Sequence, residues 1–200
     1  MQRKEYSAGA VKFSFWFNEF RKIVTLLRSG NTMQEIKALV ENDNIFSAAT
    51  PMRGKQIFNT VYMRVSALSN EYYDIFDAGA LETQKLITLI AIMATDTLFF
   101  DFMNEVYREK LITGDTMLSD ADVRVFFLDK QRENEKVAGW RDGTLDNLRK
   151  CYKTYLTEAG LLRRGADNRQ IIKPLLDNQL ADLLSKDNTK PVLKVLSGTR

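Results

Sequence analysis

The chain contains no histidine, one cysteine and three prolines in 200 residues. Without histidine, the side chain that titrates nearest neutral pH, the usual catalytic triads, zinc hydrolases and histidine-dependent nucleases are excluded. One thiol, Cys151, cannot form an internal disulfide and fits a reducing cytoplasm, and with no histidine it gives no set of structural zinc ligands. Few prolines and only ten glycines leave little room for disordered linkers. The glycine-rich phosphate loops and the nucleophile elbow are also missing, so nucleotide cradling and serine hydrolysis have no support. No apolar leader is expected, because no such stretch precedes the charged residues at the N-terminus. The longest apolar run, LITLIAIMA at 86–94, is far short of a membrane span and reads as a buried core helix.

What remains is a chain rich in helix formers, with almost no alternating pattern outside one hairpin candidate, and it reads as a compact all-α globule. Charge is unevenly spread. Residues 1–70 hold ten Lys/Arg against five Asp/Glu, residues 71–139 seven against fourteen, and residues 140–200 twelve against seven. The ends are basic and the centre acidic, the footprint expected of a chain with a polyanionic partner. This suggests three packed parts: a helical part at 1–70, an acidic and apolar core at 71–118, and a basic part at 119–200.

Within the first part, helix one is expected from Ser14 to Gly30 with Trp16, Phe20, Ile23, Val24 and Leu27 inward. Thr32 and Glu35 form a capping box that opens a helix over 33–42, and Thr50-Pro51 starts another sharply at 51. Ile57, Phe58, Val61, Tyr62, Val65 and Leu68 read as the core face of this helix, leaving Arg53, Lys55, Gln56 and Asn59 on its polar N-terminal end. Residues 33–68 are therefore a helix-turn-helix candidate. The centre reads as an aromatic helix at NEYYDIF and a long apolar segment from Glu82 to about Leu111, with a break near Thr95-Asp96.

The third part holds the second candidate. Ser119 and Asp122 cap a helix over 120–133, a short turn follows at 134–139, and Trp140 fills the next corner. Thr144 reads as the N-cap of a helix that stops at Gly160, with Leu145, Leu148, Tyr152, Tyr155, Leu156 and Ala159 inward. Its other face carries Asp146, Asn147, Lys150, Lys153, Thr154 and Thr157, with Arg149 at the flank; such groups reach phosphates and base edges. LLRR and RQIIK then flank the turn-forming Gly165-Ala166-Asp167-Asn168 and read as a wing carrying Arg163, Arg164, Arg169 and Lys173. A last helix is expected over 175–185. The DNA-contact candidates of the two units are thus Arg53, Lys55, Gln56 and Asn59 in one, and Thr144, Asn147, Arg149, Lys150, Lys153, Thr154, Arg163, Arg164, Arg169 and Lys173 in the other.

Two carboxylate sets need weighing as metal-nuclease sites. Glu35-Ile36-Lys37 has the E-x-K spacing but lies on an amphipathic helix, and Asp96, Asp101 and Glu105 could share one helix face. Capping or solvated roles account for both sets. No catalytic residue, metal, cofactor or small-molecule substrate is expected.

YSAG at 6–9, SFWFNEFRKIVTLLRSG at 14–30, LFFDFMNEVYREK at 98–110, Trp140 followed by Thr144-Leu145, and YLTEAGLL at 155–162 stand in order over most of the chain. In these stretches the chain resembles the BrxA family of BREX (bacteriophage exclusion) phage-defence systems. It implies an all-α cytoplasmic protein that binds double-stranded DNA and acts with other BREX proteins, without enzymatic activity. The expected function is phosphate-dominated DNA binding with low sequence specificity. The competing class is a protein–protein adaptor whose basic surfaces dock acidic partners.

Overall fold

A computed structural model describes residues 4–163 and 169–199. The chain opens with one 3-10 turn, Gly9–Lys12, and an extended stretch to Trp16, after which α1 spans Phe17–Arg28. Helix one therefore starts three residues later than its periodicity suggests. Trp16 adopts a left-handed backbone (φ 54°), and the carbonyls of Ser14 and Phe15 accept hydrogen bonds from Arg64 instead of continuing a helical ladder.

Helices α2 (Met33–Asn42) and α3 (Pro51–Ser66) begin as the caps dictate. Thr32 and Glu35 satisfy each other's backbone donors, and Thr50 accepts from the Arg53 amide ahead of a proline-started helix. Tyr62, expected inside, is 41% exposed, because the buried stripe of α3 runs through Ile57, Val61, Arg64 and Val65. After α4 (Asn70–Ala78), α5 (Leu81–Thr95) supplies the central apolar rod. At Asp96 the chain turns by 115°, and α6 (Thr97–Phe102) continues through a π turn, Met103–Tyr107, into α7 (Arg108–Thr113). Among the described residues no single helix is long and apolar enough to cross a membrane; α5 spends its apolar surface on the core.

The last part runs β1 (Met117–Leu118), α8 (Asp120–Glu133), α9 (Glu135–Ala138), α10 (Asp142–Glu158), β2 (Leu162–Arg163), β3 (Arg169–Ile171), α11 (Asn178–Leu184) and α12 (Lys190–Ser197). The three strands form one antiparallel sheet in the order β1-β3-β2, with Leu118 opposite Arg169 and Leu162 opposite Ile171. The hairpin is real, but its turn at 164–168 lies outside the described residues. Strand β1 and helix α12 have no counterpart in the sequence reading, and the helix expected over 175–185 is shorter, capped by Asp177.

One hydrophobic cluster joins all these elements. At its centre Phe99 meets Tyr152 and Tyr155 edge-on, with centroids 4.9 and 5.4 Å apart, and Phe102 and Phe127 close around Tyr152. These contacts seat α10 on α6 and α8, and so fix which of its faces meets solvent.

Candidate nucleic-acid interface

The N-terminal unit is α2, the connection at 43–50, and α3. Asn44 and Ser47 take left-handed backbone conformations in the connection, and the Asn44 amide group both donates to and accepts from the Ala48 backbone, at 3.0 and 2.8 Å. This holds the loop against the start of α3. Lys55 and Asn59 stand exposed one turn apart, beside Met52, which is 82% exposed. Arg53 is half-buried: its guanidinium lies 5.3 Å from the Trp16 ring centroid and donates to the Gln56 amide oxygen at 2.7 Å. Gln56 is thus the acceptor that aims Arg53, and Lys55 and Asn59 are the freer pair.

In the C-terminal unit the structure rearranges the expected site. Thr144 is not the N-cap of α10: the helix begins at Asp142, and Thr144 lies half-buried in its first turn, its amide bonded to the Arg141 carbonyl at 2.9 Å. Asn147, Lys150 and Thr154 share the outward face, with the Thr154 hydroxyl donating to the Lys150 carbonyl. Arg149 is held at the flank by Asp146 at 2.6 Å, its side chain 21% exposed. Among the described residues its Nε is buried without a hydrogen-bond partner, which disfavours drawing the whole group inward. Lys153 departs furthest from expectation. It is buried against α8, with Nζ 2.5 Å from Asp120 Oδ1, and Arg169 reaches the same oxygen at 3.5 Å. The two cations hold the Asp120 carboxyl below its ordinary pKa, chiefly through the Lys153 hydrogen bond.

Arg163 on β2 and Lys173 just after β3 are exposed, while Arg164 lies outside the described residues. Helical spacing gave no hint of Asp120 or of Arg141, which stands exposed at the N-cap of α10. The S-x-x-D motif at 119–122 marked a helix start but not what its neighbour would hold.

The candidate metal sets are taken up locally. Asp96 accepts from the Phe99 amide, Asp101 from the Tyr6 hydroxyl, Glu105 pairs with Lys130, and Glu35 closes its capping box. Among the described residues no three His, Cys, Asp or Glu side chains come together to hold a metal ion.

A link between the units also escaped the sequence. Arg64 of α3 is 3% exposed and donates to the Ser14 and Phe15 carbonyls and, at 3.4 Å, to the Tyr155 hydroxyl of α10. Tyr155 in turn donates to the Phe13 carbonyl at 2.8 Å, and the Cys151 thiol donates to that of Ala10. The segment at 10–16 thereby ties α3 to α10. Burial pushes the Cys151 thiol up to about 11, so it is a poor nucleophile where it sits.

The solved structure of an uncharacterized protein from Magnetospirillum magneticum shares this fold, with a TM-score of 0.80 at 18% identity, covering 98% of this chain and 100% of that one. A BREX protein BrxA from Bacillus cereus (strain H3081.97) is 42% identical over 161 residues, 80% of each chain. The sequence model of BrxA matches residues 4–188. With that coverage and that identity, the chain belongs to the BrxA family.

Proposed function

We propose that this protein is a non-enzymatic, cytoplasmic, double-stranded-DNA-binding component that works with other BREX proteins, gripping phosphates with little base discrimination. Family membership makes it a component of a BREX phage-defence system. The DNA-binding reading is supported most by the order of elements in the C-terminal unit. Strand β1, helices α8 and α10, and a hairpin whose inner strand pairs back onto β1 follow one another as in a winged helix-turn-helix. On that arrangement α10 and the hairpin face one way, and the exposed cations among the described residues include Arg141, Lys150, Arg163 and Lys173. The pair α2–α3, with Lys55 and Asn59 outward, gives a second helix-turn-helix. Low specificity belongs to the same reading, which takes these cations as phosphate contacts; such contacts fix register and carry no sequence information.

The test is a titration of the purified chain against a duplex of mixed sequence at several salt concentrations, with and without Mg²⁺ or Mn²⁺. The reading predicts binding whose logarithm falls linearly with log salt, by about 0.9 for each phosphate contact, and an uncut duplex under both conditions. Cleavage with metal would point to a nuclease. No binding even at low salt, with stable capture of an acidic protein partner, would point to the adaptor.

A further inference from the structure

Asp120 is the first residue of α8, and its side chain is 67% exposed. Two cations from separate elements converge on its Oδ1, Lys153 from α10 and Arg169 from β3. Their side chains are only 11% and 32% exposed, whereas Lys150, Arg163 and Lys173 stand in solvent. Arg124, one turn along α8, adds its field to the same carboxylate. A carboxylate in this position uses the N–H donors that a DNA phosphate would otherwise use, and its charge cancels part of their attraction at longer range.

We propose that Asp120 sets the DNA affinity of the C-terminal unit by holding Lys153 and Arg169 against α8 and so withdrawing two cations from phosphate contact. The inference rests on the DNA-binding reading above. Fewer phosphate contacts mean weaker and less salt-sensitive binding.

Asp120→Asn removes the charge and keeps the side chain's size. Titrated against one duplex across a salt series, the full-length variant should bind about tenfold tighter near physiological salt, with a slope steeper by about two units of 0.9 each. The gain should vanish in Asp120→Asn/Lys153→Gln/Arg169→Gln. It should also be absent from Asp142→Asn, which removes an exposed carboxylate at the start of α10. Lys153→Gln alone, on the native background, should change affinity less than about twofold, a readout that holds even if Asp120→Asn fails to fold. Unchanged or weaker binding by a folded Asp120→Asn, an equal gain in Asp142→Asn, or a large loss in Lys153→Gln overturns the proposal while leaving DNA binding intact. If neither the native chain nor Asp120→Asn binds duplex at low salt, the DNA-binding reading falls and the proposal with it.

Discussion

Asp96 sits where α5 ends and α6 begins, accepting the Phe99 amide and facing the field of Arg64. Burial raises its pKa from the ordinary carboxylate range to about 6, and the backbone hydrogen bonds and the Arg64 charge offset only part of that. The folded state therefore holds this proton at a pH where the unfolded chain has released it, so Asp96 contributes stability that is full below about pH 4 and is lost as pH rises through 6. Asparagine keeps the cap and cannot ionise. In denaturant unfolding, the stability of Asp96→Asn should rise relative to that of the native chain by about 2–3 kcal/mol between pH 4 and 6. Parallel curves would mean that Asp96 titrates near its ordinary value. Arg64 is itself a buried cation, surrounded by acceptors and ring faces: the Ser14 and Phe15 carbonyls, Trp16 and Tyr155.

Among the elements, those with a strong start signal were legible in the sequence. Thr32/Glu35, Thr50-Pro51 and Ser119/Asp122 place three helix starts because each satisfies specific backbone donors, and the apolar run broken at Thr95-Asp96 places the bend. Strand β1 was not legible because two residues show no alternation, nor α12, whose eight residues give barely two turns of periodicity. Periodicity also identifies a helix's outward arc without saying which neighbour covers its flanks. Lys153 lay on the polar arc of α10, yet Asp120, 33 residues earlier, reaches it. Packing between α2 and α3 offers a separate check. Gly54 is buried in the first turns of α3, and a Cβ there would sit 3.6 Å from both Ala48 Cβ and Val40 Cγ1, an ordinary contact. Gly54→Ala should stabilise the chain by about 0.5–1 kcal/mol, because alanine loses less backbone entropy in a helix. Calorimetry would read this as a melting temperature higher by about 1–4 °C, and a fall would show that α2 and α3 lie too close for a methyl group.

For the molecule as a whole, the segment at 10–16 joins α3 to α10 through Arg64, Tyr155 and Cys151, so the two candidate DNA-binding units belong to one hydrogen-bonded core. The acidic centre gives carboxylates to cations of the same chain: Glu105 and Glu133 to Lys130, Asp115 and Asp122 to Lys110, and, at the surface, Glu71 to Lys186. Among the described residues, Lys55, Lys150, Arg163 and Lys173 stand exposed on the two units, and the proposed function rests on such cations binding duplex DNA. The most direct measurement compares the native chain with Lys55→Glu, Lys150→Glu and the double variant on one duplex by fluorescence anisotropy across a salt series. Each exposed reversal should weaken binding and lower the salt slope by about one unit, and the double variant should lose about two. Unchanged affinity and slope in all three variants would contradict DNA binding through these two units.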